Sequence, residues 1–464
     1  MEACELLGEL YHRVHDRGVK DRVNVWSAVM RSTVADHDPI RRARAAVEAA
    51  DALVHDNQLV DAKGYLEEAE RLLPPDHPLW SGVEGVRAFM FILDSRFREA
   101  LAAARRAVDI ANRGGTMLER SRAHSILAHP AILPLMGEAG RETMRAWLAE
   151  AEASGDERLI IDGRHFILSD TWTRGIVDET QLRQAEEGVR KAGEMGWTLD
   201  EASLRMVLGW GYFLTGRWLE AGSHLGRANT LVESQGGRIR GMFHLLLPYF
   251  RGNLAMGYGR IDEARRIFEG GLAHARFHDL IWLNHDLGRC HQMRGDLAAA
   301  EGAMAEAQAA RDRFRCIVCG CQADGVTAEF YAAVGDGAQA ALLMARAAET
   351  AEEIGHVATL IRVRRAKARV ALARGAVGEA VEAAHGAVAL GEGLPLPQVL
   401  EQGQSLLLLG QAQAAAGDGD AARTSWEEAR NRFSALGASW FLRQVEETQG
   451  AASARMSSGT GGGG

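Results

Sequence analysis

The sequence predicts an all-α protein built as an array of about ten helical hairpins with a period near 40 residues. Three observations predict it. The 464 residues are 47% hydrophobic and 25% charged, a globular composition. Only 6% are aromatic and 9 are Pro, which favours helices over β-rich runs. A Gly-centred turn is followed by small and bulky residues at helical spacing. The same turn then recurs along most of the chain.

The pattern is clearest in "TGRWLEAGSHLGRA", "RGDLAAAEGAMAEA" and "AGDGDAARTSWEEA". These give Gly216, Ala221, Leu225, Ala228; Gly295, Ala300, Met304, Ala307; and Gly417, Ala422, Trp426, Ala429. Upstream of each turn stands Leu-Gly: Leu208-Gly209, Leu287-Gly288 and Leu409-Gly410. Gly on the first helix and Ala on the second permit the close approach of two crossing helices, and the bulky residue between fills the space beside them. Turn positions fall at Asn57, Ser95, Gly137, Gly175, Gly216, Gly259, Gly295, Gly335, Gly375 and Gly417, separated by 36 to 43 residues.

The first two hairpins match well through Leu59, Ala62, Leu66, Ala69 and through Phe97, Ala100, Ala104, Ala107. In the third, Pro130 and Pro134 interrupt the first helix, and "RGIVDETQLRQAEE" stretches the turn of the fourth; irregular helices are expected in both. Residues 1–45 read as an N-terminal helical cap, in which Leu7-Gly8 and Tyr11 resemble a worn repeat. Residues 46–449 form the array, and 450–464 a disordered Gly/Ser tail.

The order Leu-Gly, aromatic, Ala, bulky, Ala resembles the tetratricopeptide repeat. The resemblance covers residues 46–449 and implies a right-handed α-solenoid. Separations above the 34-residue tetratricopeptide unit imply helices longer by about one turn. The "GRxxEA" and "GDxxAA" turns are similar to the helical sensor arrays of large bacterial signal-transduction ATPases, the LuxR-type regulators of the maltose-activator kind. That likeness implies a regulatory or sensor module of a bacterial signalling or transcription-control system, binding a protein or peptide partner, with a small-molecule inducer as a further candidate.

Most other function classes find no signature. The formal charge of −9 does not suit a general nucleic-acid binder. Gly-Lys never occurs, which excludes a P-loop, and the mimics of a dinucleotide fingerprint at Gly335 and Gly417 occupy inter-helix turns. His-Glu and Gly-x-Ser-x-Gly are missing, so no catalytic residue or cofactor is expected. His274 and His278, four apart, lack a partner ligand at matching pitch, and no metal is expected. Without a secretion signal or a long apolar run, the expected location is the cytoplasm, with no membrane contact.

In the tetratricopeptide family the first helix of each hairpin lines a concave groove that takes a peptide or protein. By position, the resemblance places Trp172, Trp210, Phe213, Tyr249, Asn253, His285 and Arg289 in that groove. The aromatic members are either an anchoring platform for a partner or core filler between long helices. Arg362, Arg365 and Arg369 share one helix face, read either as solvated surface or as a site for an anionic partner. The stretch "RCIVCGC" offers the alternative function. Cys316 and Cys319, at a helix start beside Arg313 and Arg315, could act as a thiol-based redox sensor or oxidoreductase, while Cys321 points nearly opposite Cys319.

Overall fold

The structure, a computed structural model, describes residues 19–55, 58–129, 131–234, 242–275 and 277–459. Among them are helices only, in the order α1 (Val19–Asp36), α2 (Pro39–His55), α3 (Leu59–Leu72), α4 (Trp80–Leu93), α5 (Phe97–Gly114), α6 (Met117–Leu127), α7 (Gly137–Ser154), α8 (Glu157–Thr173), α9 (Glu179–Glu194), α10 (Thr198–Leu214) and α11 (Trp218–Ser234). There follow α12 (Met242–Gly257), α13 (Ile261–Leu272), α14 (Asp279–Met293), α15 (Leu297–Phe314), α16 (Ile317–Val334), α17 (Gly337–Ile354), α18 (Val357–Ala373), α19 (Val377–Glu392), α20 (Val399–Ala415), α21 (Gly419–Leu436) and α22 (Ser439–Gly459). From α2 to α21 they pair into hairpins, giving the all-α helical-repeat architecture that the spacing predicts.

Each hairpin reverses where the sequence places its turn. Ser95, Gly137, Gly175, Gly216, Gly259, Gly295, Gly335, Gly375 and Gly417 all have positive φ, from 57° to 92°. A positive φ is what Gly adopts without strain; Ser95 is the one non-Gly residue among them, and Asn57 lies outside the described residues. The close approach at the helix crossing is equally direct. A Cβ on Gly288 would sit 2.9 Å from Met304 Cε and 3.2 Å from the Ala300 carbonyl oxygen. At Gly410 it would meet the Trp426 indole at 2.4 Å. These are the small and bulky partners that the repeat pattern pairs.

Two hairpins are irregular for the expected reasons. Helix α6 stops at Leu127 and a 3-10 turn, Leu133–Met136, with Pro134 in its first turn, leads into α7; Pro130 lies outside the described residues. In the fourth hairpin residues 174–178 separate α8 from α9, whereas residues 215–217 suffice in the fifth. At the C-terminus, helix α22 runs to Gly459, and residues 460–464 lie outside the described residues.

The chain divides into two compact units. Unit 1 comprises residues 1–170, 183–207 and 226–244. Its core runs from Ala43, Val47 and Leu53 through Leu66 to Val83, with a second cluster of Ala128, Leu133, Met144 and Trp147. Unit 2 comprises residues 171–182, 208–225 and 245–464. There the first helices pack in series, α14 on α16, α16 on α18 and α18 on α20.

Unit 2 also returns upon itself. Gln398 Nε2 donates to the Gly175 carbonyl at 2.7 Å, Ser439 Oγ to the Tyr258 carbonyl at 3.0 Å, and Trp440 Nε1 to the Met293 carbonyl at 3.1 Å. The early turns of this unit therefore meet its last hairpin and α22. No described helix is long and apolar enough to cross a membrane.

Candidate functional site

The closure of unit 2 encloses a cavity of ≈ 60 Å³. Its walls come from α10, α12, α14, α16, α18 and α20, which present the same stripe to one space because their apolar and polar residues recur at three- and four-residue spacing. Helix α10 supplies Trp210 and Phe213, α12 supplies Tyr249, Asn253 and Met256, α14 supplies Arg289 and α18 supplies Arg362. Phe441 of α22 and Gln398 ahead of α20 complete the wall.

One side is aromatic. Trp210 stacks on Phe213 with centroids 4.9 Å apart and on Phe250 at 4.8 Å, and Tyr249 leans against Trp210 at 5.4 Å and Trp282 at 5.6 Å. Burial and the neighbouring Asp286 charge push the Tyr249 phenol well above its usual range.

The opposite side is a network of buried ions. Asn253 Nδ2 donates to Asp286 Oδ2 at 2.6 Å, and Asp286 Oδ1 takes the Arg289 guanidinium at 3.0 Å and faces His285 Nδ1 at 3.1 Å. Burial opposes charge on Asp286, yet His285, Arg289 and Asn253 outweigh it and hold the carboxyl well below the usual range. Arg362 NH2 donates to Glu401 Oε1 at 2.9 Å. Arg365 grips Glu329 through Nε at 2.7 Å and NH2 at 3.0 Å while its NH1 lies 2.7 Å from Glu401 Oε2. Burial again opposes the Glu401 charge, and Arg362 and Arg365 overcome it.

Further polar groups line the cavity. The Thr359 backbone N–H donates to His356 Nδ1 at 3.2 Å, and the amide nitrogen Nε2 of Gln322 lies 2.9 Å from His356 Nε2. Gln398, 2% exposed, commits its Nε2 to Gly175, and its buried Oε1 has no partner among the described residues.

Six of the residues singled out in the sequence thus meet at this cavity: Trp210, Phe213, Tyr249, Asn253, Arg289 and Arg362. The side chain of Trp172 lies outside the described residues. His285 is 1% exposed and sits behind the wall with Asp286 rather than in it. The shared basic face of α18 is not a solvated surface: Arg365 is 1% exposed and enclosed by two carboxylates, and Arg369 is half-buried, its charge disfavoured by burial. The spacing is right, but the face turns inward against Glu329 of α16 and Glu401 of α20. Gln398, Glu401, His356 and Gln322 were missed by sequence reasoning, since their partners lie one or more hairpins away.

The cysteines fall into separate environments. Cys316 and Cys319 are 3% and 1% exposed with sulfurs 2.7 Å apart. Cys321 Sγ faces the Ala347 carbonyl at 3.7 Å, and Cys290 Sγ faces Met256 Sδ at 3.9 Å. Among the described residues, no three His, Cys, Asp or Glu side chains gather in a way that could hold a metal ion.

No family model matches this chain, and no curated protein matches it. Among solved structures, a Rap protein complexed with competence and sporulation factor aligns over 88% of this chain and 99% of its own, at 12% identity and TM-score 0.48. A human IFIT1 dimer with m7Gppp-AAAA aligns over 83% and 89%, at 15% identity and TM-score 0.47. Yeast Tom70 aligns over 96% of each chain, at 15% identity and TM-score 0.37. Likeness at this level carries no argument about what the chain binds.

Proposed function

We propose that the chain is a non-catalytic binding scaffold whose unit 2 cavity takes one anchoring residue from an aromatic, acidic stretch of a protein or peptide partner. It would serve as the regulatory or sensor module of a cytoplasmic signalling or transcription-control system. One observation carries the reading. Among the described residues, every hydrogen bond of Arg289 leaves from NH1 and that of Arg362 from NH2, and both side chains remain 18% and 17% exposed beside the aromatic wall. A guanidinium with further N–H groups beside the cavity suits a carboxylate, and the stacked rings suit an apolar anchor of the kind that dominates binding energy.

Charge favours the same occupant. The charged residues lining the cavity are the guanidiniums of Arg289 and Arg362 and the carboxylate of Glu401, two positive charges to one negative. A volume of ≈ 60 Å³ holds a few waters at about 10–15 Å³ each, or one side chain, so the partner inserts a residue rather than a whole segment.

The test is fluorescence anisotropy with short synthetic peptides that pair Trp, Tyr or Phe with Asp or Glu. Arg289→Ala and Arg362→Ala are each expected to weaken binding at least about tenfold, the equivalent of about 1.4 kcal/mol. Arg423→Ala, on the exposed face of α21, should leave it unchanged. Equal binding by all variants, or binding of no such peptide, would refute the proposal.

A further inference from the structure

We infer that Cys316 and Cys319 form a redox-active dithiol that a small hydroperoxide converts to an intrahelical disulfide, a modification site independent of the unit 2 cavity's ligand. Three features of the geometry carry it. The sulfurs stand 2.7 Å apart, within about 0.7 Å of the covalent S–S distance of about 2.05 Å. Cys316 is the N-cap of α16 with extended φ −66° and ψ 119°, so it stands at the positive end of the helix, although its side chain makes no capping hydrogen bond. The remaining described thiols, Cys290 and Cys321, face other partners, so the pair closes only on itself.

The local field sorts the two thiols into different roles. The hydrogen bond from Cys319 and the amides of Cys319 and Val318 pull the Cys316 thiol down despite burial. Burial and the adjacent Cys316 push Cys319 well up. Cys316 is therefore the attacking thiolate and Cys319 the resolving thiol that keeps its proton. Burial pushes both Cys290 and Cys321 up to about 12, which leaves them inert at neutral pH.

The chemistry balances without a metal or cofactor. The Cys316 thiolate attacks one peroxide oxygen, the S–O bond forms, the O–O bond breaks, and the departing oxygen takes from water the equivalent of the proton Cys316 gave up on ionising and leaves as alcohol or water. Cys319 sulfur then attacks the Cys316 sulfenic acid, the S–S bond forms, the S–O bond breaks, and hydroxide leaves as water with the Cys319 proton. Two electrons pass from the thiols to the peroxide. Cys316 follows directly on Arg315, which is exposed and in a left-handed turn at φ 51°.

The experiment treats the reduced full chain with hydrogen peroxide, blocks it with iodoacetamide under denaturing conditions and reads non-reducing peptide masses. The expected product is the Cys316–Cys319 peptide lighter by two hydrogens, formed at least about tenfold faster than any oxidation of Cys290 or Cys321. In Cys319→Ser the sulfenic acid should persist and be trapped by dimedone at Cys316. Recovery of both cysteines fully alkylated, sulfinic acid at Cys316 without loss of the two hydrogens, or dimedone labelling spread equally over all thiols would each overturn the inference. Far-UV circular dichroism before and after treatment separates oxidation of the fold from oxidation of an unfolded chain.

Discussion

Replacing Arg365 with Met should destabilise unit 2 by about 3 kcal/mol, a penalty that comes from charge rather than from volume. Met fills much of the space of the arginine stem, so little cavity remains. What is lost is the two-point grip on Glu329, at 2.7 and 3.0 Å, and the contact with Glu401 at 2.7 Å. Breaking a buried pair by removing one partner costs about 3–5 kcal/mol because the other charge stays behind. Glu401 keeps Arg362 at 2.9 Å, and the Glu329 side chain is 21% exposed, so the lower end applies. Adding Glu329→Gln removes the stranded charge, and the double variant should recover about 1 kcal/mol or more relative to the sum of the singles. Urea unfolding followed by far-UV circular dichroism measures all four corners of this cycle. Additive losses, or an Arg365→Met midpoint equal to wild type, would refute the view that Arg365 is an internal structural ion.

Three further expectations follow from particular residues. A Cβ at Gly259 would lie 3.0 Å from the Trp440 backbone nitrogen, while Gly335 has open space within 4 Å. Both changes to Ala carry the strain of a positive φ, about 1–2 kcal/mol, but only Gly259→Ala should also speed hydrogen exchange at Trp440. Gly302, inside α15 with nothing within 4 Å, should gain about 0.5–1 kcal/mol as Ala, whereas Gly410→Ala, driven against Trp426, should lose stability in the same thermal melt. Burial lowers the His165 imidazole to about 4. A base with a depressed folded value binds fewer protons folded than unfolded, so its contribution is complete above about 6.5 and is lost as pH falls toward 4. His165→Gln should flatten the decline in Tm between pH 7 and 5, and an unchanged slope would show that another group titrates.

Much of the fold is written locally, which is why it is legible. A turn needs a residue that tolerates positive φ, a crossing needs a missing side chain, and both demands act within one hairpin of some 40 residues. Gly288 and Met304 are sixteen positions apart and touch, so their pairing shows in the spacing alone. The same logic explains the third hairpin, where Pro134 announces the irregular element it occupies. By contrast, the bond from Gln398 to Gly175 spans 223 positions. Nothing near either residue marks it, because it depends on how small rotations between successive hairpins accumulate across unit 2.

The arginines of α18 show why the site is harder to read than the scaffold. The three-to-four spacing of Arg362, Arg365 and Arg369 establishes that they share a face, and that inference holds whichever way the face points. Which of them meets solvent depends on neighbours contributed by other hairpins: Glu329, 36 positions before Arg365, and Glu401, 36 positions after it. Those carboxylates stand one repeat away on either side, at nearly the period of the array itself. A repeat-length search for opposite charges at equivalent first-helix positions would therefore have flagged Arg365 as internally paired. Applied to Arg289, it finds Asn253 36 positions earlier, a neutral partner at 3.4 Å, and Asp286 only three positions away on the same helix. Arg289 is satisfied locally and on one edge, Arg365 on both sides across the array, and this difference is why the first is the one proposed to bind while the second ties neighbouring hairpins together.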